Sequence, residues 1–263
     1  MKKILLIAFS AILFVSCSND DNGGGTSTGA IYLPLSVGNY WNYDVTATTS
    51  GRDSLFVSSA YQANGNTYNK METGELPFGF YSGSLRNNGV RNDNGFVLVS
   101  GTAGLNLGDA FPINIALDDF IILRENASPN QQLSSLSGEI EQEFEGFPLK
   151  ITYTLKSTAL ENLSSYDAPN GQTYQDVKSV KLALNLKITT TTDAFGFPLT
   201  IPILNSQDVA VSTMYFAKDI GMVYATTQIS YNLEDLSQAG VTLPIPQNYS
   251  EIQLEVLDTF VAE

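Results

Sequence analysis

The sequence predicts an all-β fold: one domain of mostly antiparallel strands, either strongly curved into a half-barrel or stacked as a sandwich, with few short helices. Three observations predict it. Apolar and polar residues alternate with period two through several segments, Asn-Gly and other Gly-rich breaks separate those segments, and no long amphipathic helical pattern runs through the 263 residues. Alternation sends successive side chains to opposite faces of a strand, and one apolar face with one polar face is the pattern of an antiparallel sheet buried on one side.

The chain opens with Met1-Lys2-Lys3 and an apolar run, Ile4 to Val15, broken only by Ser10. A run of about twelve residues suits the apolar stretch of a signal peptide and is too short to cross a hydrocarbon core of roughly 30 Å as a helix. It ends in Phe14-Val15-Ser16-Cys17, which matches the lipobox read by the lipoprotein signal peptidase. Residues 1–16 therefore read as a signal peptide and Cys17 as the acylated residue, with the lipid bilayer as its partner. Residues 17–29 carry Asp, Asn, Ser and Gly and nothing that buries apolar area, so they read as a tether. About twelve residues at roughly 3.4 Å each reach some 40 Å. Cys17 followed by Ser18 and two aspartates resembles the export signal that sends Bacteroidota lipoproteins to the outer face of the outer membrane.

Residues 30–263 form the expected β-rich domain. Pro34 ends the tether, Gly38-Asn39 reads as a turn, and the strand after it puts Trp41 and Tyr43 on one face and Tyr40 and Asn42 on the other. Trp41, the single tryptophan, reads as core, with a ligand platform as the alternative. Asn64-Gly65, Asn88-Gly89, Asn94-Gly95 and Asn170-Gly171 are hairpin-type dipeptides. Ala116–Arg124 reads as a short helix or a buried strand, and Leu233–Ala239 as a short helix. Leu149, Ile151, Tyr153 and Leu155 alternate with polar neighbours, as do Val180, Leu182, Leu184, Leu186 and Ile188. Gly221 reads as a hairpin turn. Ile252, Leu254 and Val256 alternate with Glu251, Gln253 and Glu255, which predicts an apolar buried face and an acidic wet one.

A small internal echo runs through the chain. Glu145-Gly146-Phe147-Pro148-Leu149 resembles Phe195-Gly196-Phe197-Pro198-Leu199, and Leu76-Pro77-Phe78-Gly79-Phe80 is a looser relative. If the first two are hairpin tips, Phe147 and Phe197 project from one end of the sheet. They either offer a contact for a partner or ligand or fold back to cap the core.

Composition excludes much chemistry. Basic side chains number 13 against 27 acidic, a net charge of −14; without Lys2 and Lys3 the balance is 11 against 27, or −16. That argues against nucleic acid, whose phosphates need a basic footprint. The chain has no histidine, and its one cysteine is Cys17. Disulfides, Cys/His metal sites, Ser-His-Asp triads and Cys-His pairs are thereby excluded, and no cofactor is implied. What remains is paired carboxylates, Lys, Tyr, Ser-Lys or a carboxylate-bound cation. Glu139, Glu141, Glu143 and Glu145 would share one strand face, which reads as solvated. Asp118-Asp119 point apart as strand neighbours, so they do not make the close carboxyl pair of a retaining glycosidase. Asn92-Asp93-Asn94-Gly95 has the opening of an EF-hand loop without its Glu, so it reads as a turn. Asp53-Ser54-Leu55 resembles the three-residue O-glycosylation site used by Bacteroidota.

Tyr32-Leu33-Pro34-Leu35-Ser36-Val37-Gly38-Asn39-Tyr40-Trp41-Asn42-Tyr43 is similar to the "PL..GN.W.Y" opening of a group of Bacteroidota lipoproteins, and Tyr215-Phe216-Ala217-Lys218-Asp219-Ile220-Gly221-Met222-Val223 to a later segment of the same chains. The resemblance covers about twenty residues. It implies a strongly curved antiparallel sheet, and some such chains resemble periplasmic lipoprotein carriers whose half-barrel holds lipid. It carries over no catalytic residue.

These readings converge on a membrane-anchored, outer-membrane, cell-surface lipoprotein that acts as a non-catalytic binding module. Its expected partner is an apolar ligand in a concave sheet face, or another protein contacted near Phe147, Phe197 or Trp41. The alternatives are a carboxylate-based enzyme acting on glycan and a structural subunit of an outer-membrane assembly.

Overall fold

A computed structural model describes residues 29–106, 112–144, 147–194, 197–235 and 245–263; the side chains of Asn106, Phe144, Phe147, Asp193, Ala194 and Phe197 lie outside that description. The expected signal peptide, Cys17 and the expected tether up to residue 28 therefore fall outside the described residues.

Twelve antiparallel strands form one sheet: β1 (Tyr40–Thr46), β2 (Gly51–Ala63), β3 (Asn66–Thr73), β4 (Gly89–Asp93), β5 (Phe96–Asn106), β6 (Pro112–Arg124), β7 (Gln132–Phe144), β8 (Phe147–Asp167), β9 (Thr173–Ala194), β10 (Phe197–Ala217), β11 (Gly221–Asn232) and β12 (Asn248–Val261). A short helix, α1 (Phe80–Leu85), joins β3 to β4 and is the one helix among the described residues. The order is β6-β5-β4-β3-β2-β1-β12-β11-β10-β9-β8-β7. The first and last strands pair, so the chain runs as a meander that circles back on itself into a nearly closed barrel. Of the expected alternatives, the curved sheet is the one adopted.

The two edge strands, β6 and β7, share no ladder and meet at a seam. Side chains stitch it instead. The Ile121 N–H donates to Ser134 Oγ at 3.1 Å, and the buried Ser157 Oγ donates to the Ile121 carbonyl at 2.6 Å. Such side-chain bonds satisfy backbone groups that an open edge would leave unpaired.

Turn chemistry sets the hairpins. Asn64-Gly65 and Asn94-Gly95 have positive φ at both residues, as the two-residue turns between β2 and β3 and between β4 and β5 require. Asn88-Gly89 does not form a hairpin. The left-handed residue there is Asn87, and Asn88 is buried where the helical segment rejoins the sheet. Ala116–Arg124 belongs to strand β6, not to a helix; a helix would leave β5 without its long partner ladder. Leu233 to Asp235 are irregular, and the rest of that expected helix lies outside the described residues.

Inward-facing residues of the long strands make one apolar core, among them Ile151, Leu155, Val180, Leu184, Leu186 and Ile188, as the alternation predicts. Lys181 and Lys187 on the opposite face of β9 are exposed. β12 reverses the expectation. Glu255 is 1% exposed while Ile252 is 61% exposed, so the acidic face points inward.

Strand directions define two ends. At the lower end lie the β10–β11 turn, the β6–β7 connection and residues 29–39. There Trp41, Tyr32 and Leu33 close the barrel floor. At the upper end lie the β1–β2 turn, the segment 74–88, and the tips between β7 and β8 and between β9 and β10. The three echoing segments around Phe78, Phe147 and Phe197 therefore share one end of the barrel.

Candidate functional site

Residues 74–88 leave the ladder after β3 and fold as a strap into the upper mouth. Pro77 lacks a ladder donor, and Gly79, the N-cap of α1, has no side chain to cap the helix. Two neighbouring strands supply the missing acceptors. Asp53 of β2 accepts the N–H groups of Phe78 and Gly79, each at 2.8 Å. Glu255 of β12 accepts those of Tyr81 at 2.6 Å and Ser82 at 3.2 Å, and the Ser82 hydroxyl at 3.0 Å. Carboxylates suit this position because they meet free amide donors at the positive end of the helix. Gly79 is required by space: a Cβ there would lie 2.2 Å from the Glu255 carboxyl.

From this anchor the strap reaches deep into the barrel. The Tyr81 ring packs edge-on against Tyr43 and Phe216, with centroids 5.8 and 6.0 Å away. Asn88 secures the return. Its Nδ2 donates to the carbonyls of Ser84 at 2.7 Å and Thr102 at 2.9 Å, and its Oδ1 accepts the Thr102 N–H at 2.8 Å. Room for Asn88 comes from Gly101, whose φ is 139° and whose Cβ would sit 2.1 Å from Asn88 Oδ1.

Burial pushes the Glu255 carboxyl up to about 7 from an ordinary 4.5; the bonds from Tyr81 and Ser82 oppose the rise, and the nearby charge of Asp53 adds to it. A buried carboxyl pair with one raised member is what a carboxylate-based enzyme needs. Here both side chains are sealed, at 3% and 1% exposure, and their oxygens already hold the strap. The arrangement positions backbone and keeps both carboxyls out of contact with solvent.

Space for a ligand lies on the strap's other side. A groove of about 650 Å³ runs between the strap and the walls made by β5, β6, β11 and β12. Beneath it, between β6 and the β8–β10 wall, lies a small apolar pocket of about 50 Å³. Phe80, Ser84, Gly104 and Leu105 line both, so groove and pocket adjoin. Leu117, Ile113 and Ile115 line the deep part. A volume of several hundred Å³ with an apolar deep end and polar groups at the mouth is typical of a site for one small ligand.

The residues singled out in the sequence lie elsewhere. Trp41 is fully buried and its indole N–H donates to the Ile220 carbonyl at 2.6 Å, which makes it core and leaves no platform for a ligand. Phe147 and Phe197 begin β8 and β10, paired with Phe144 and Ala194 at two neighbouring tips; where their rings point lies outside the described residues. Glu139, Glu141 and Glu143 are exposed, with Glu139 ion-paired to Lys150 at 3.0 Å, while Glu145 is outside the description. Asp119 is held by Arg91 through bonds of 3.0 and 2.8 Å and accepts the Tyr68 hydroxyl at 2.8 Å; Asp118 is exposed. Asp93 pairs with Arg91 at 2.7 Å beside the Asn94-Gly95 turn. In Asp53-Ser54-Leu55 the outer two residues are buried and Ser54 is half-exposed.

Sequence reasoning missed Asp53, Glu255 and Asn88 as strap anchors. Glu255 sits in an alternation that reads as a wet face, and its partners are more than 170 positions away in the chain. Compared with known protein families, curated proteins and solved structures, the chain matches none.

Proposed function

We propose that the protein is a membrane-anchored, non-catalytic binding module that takes a small ligand with an apolar part into the groove beside the strap. The observation that carries this reading is that groove and apolar pocket adjoin, sharing Phe80, Ser84, Gly104 and Leu105 as walls. A pocket of about 50 Å³ alone would hold little; beside about 650 Å³ of groove it offers a ligand of modest size both an apolar end and a polar mouth.

Orientation supports the same reading. Residues 30 and 31 enter at the lower end, where the Ala30 N–H donates to Glu125 at 2.9 Å and the Ile31 carbonyl accepts the Asp219 N–H at 2.6 Å. A lipid on Cys17 would then tether the barrel from the end opposite the groove, which leaves the mouth unobstructed by the tether. A second reading, docking of a protein on the mouth, is favoured by Leu76 and Phe78 of the strap, which are 75% and 44% exposed.

Native mass spectrometry of the purified protein with single-chain amphiphiles tests the leading reading. Gly104→Phe is the matched variant, because a Cβ there meets only Asn114 at 3.5 Å, and a phenyl ring extends into the groove. Adducts on the parent protein and none on Gly104→Phe are expected. Equal adducts on both, or none on either, would overturn it.

A further inference from the structure

We propose that the ligand of this groove is a single-chain amphiphile with an anionic head, bound by Arg86; this rests on the groove being the binding site. The charge of the lining is the first argument. Acidic side chains outnumber basic ones 27 to 13 in the chain, yet among the described residues the groove is lined by one cation, Arg86, and by no Asp or Glu.

The state of Arg86 is the second argument. Of the four arginines, Arg52 pairs with Asp44 and Asp258, Arg91 with Asp93 and Asp119, and Arg124 lies over the Phe96 ring. Arg86 is half-buried, and its guanidinium has no hydrogen bond, ion pair or ring contact among the described residues. A guanidinium presents paired donors that match a carboxylate or phosphate, and beside an apolar wall it gains most from such a partner.

A second polar residue borders the same space, although its unpaired oxygen is turned away from it. Gln253 Oε1, on β12 across from the strap, is buried without a donor. Apolar Leu105 and Phe80 border both the groove and the small apolar pocket, which takes the end of the chain. The volume fits one chain rather than a two-chain lipid.

Titration calorimetry at pH 8 with dodecanoate, dodecyl phosphate, dodecanol and dodecylammonium tests the assignment. Both anions are expected to bind roughly tenfold or more tightly than dodecanol, since a charge-assisted pair exceeds a neutral contact by that order. Dodecylammonium is expected to bind weakest. Arg86→Ala should remove the preference for anions and leave dodecanol binding unchanged, and Arg86→Lys should restore part of it. Dodecanol binding as tightly as dodecanoate would overturn the anionic head and leave the groove standing as a site. Preference for the cation, or an anion preference that survives in Arg86→Ala, would also overturn it. No binding by any of the four would remove the groove as a binding site altogether.

Discussion

The indole N–H of Trp41 donates to the carbonyl of Ile220 at 2.6 Å, across 179 positions of sequence. Around this bond the two motifs that share a sequence resemblance become one structural unit. Tyr43 Oη donates to the Met222 carbonyl at 3.1 Å, and Gly221, at φ 118°, presents its bare Cα to the indole: a Cβ there would lie 2.7 Å from Trp41 Nε1 and 3.4 Å from Leu33. The unit closes the barrel floor.

Gly221→Ala is therefore expected to destabilise the protein by about 3 kcal/mol, combining left-handed backbone strain with overpacking against the indole. Trp41→Phe leaves the Ile220 carbonyl without its donor and should cost about 1–3 kcal/mol. Urea unfolding measures both. Either variant unfolding at the parent midpoint would show that the contact is not what joins the motifs.

Glu255 makes stability depend on pH. Its carboxyl is raised from 4.5 to about 7 in the fold, so the folded chain holds that proton more tightly than the unfolded chain does. The resulting stabilisation is complete below about 4.5, declines as pH rises through that window and is gone above about 7; it amounts to about 3 kcal/mol. Tyr81, Tyr43 and Asp53 surround the group, and no cation is among the causes of its shift. Melting temperatures of the parent and Glu255→Gln between pH 5 and 8 check this. The parent should lose stability across that range and the variant should lose less. Parallel curves would mean that Glu255 keeps an ordinary pKa.

The strap can be loosened without touching the floor. Gly101→Ala places a methyl 2.1 Å from Asn88 Oδ1 at a φ of 139°, which displaces the side chain that ties the strap's return to β5. Backbone amides of Tyr81 to Asn88 are expected to exchange at least tenfold faster, while those of β9 and β10 stay protected. Uniform loss of protection would instead make strap and barrel a single cooperative unit.

The elements of this fold were legible where local chemistry decides them. Asn64-Gly65 and Asn94-Gly95 turn the chain because both residues accept positive φ, and β8 and β9 alternate because one face meets the core. β12 alternates just as clearly, yet which face turns inward is set by Glu255 reaching strap amides from a distant part of the chain, and no local pattern encodes that. Asn88-Gly89 reads as a hairpin and is not one, because Asn88 is committed to Ser84 and Thr102. Of the candidate site, the sequence marks only Leu76-Pro77-Phe78-Gly79-Phe80, as a member of the echo; Arg86 carries no signal of its own, since what distinguishes it is a guanidinium without a partner among the described residues of the folded chain.

Methyl-resolved NMR of the purified protein titrated with dodecanoate tests the central claim most directly. The account predicts saturable shifts at Leu105, Ile113, Ile115 and Leu117, which line the groove and its pocket, with Leu33 at the barrel floor unmoved. Shifts confined to outward-facing Ile252 on β12, or no shifts at all, would contradict it.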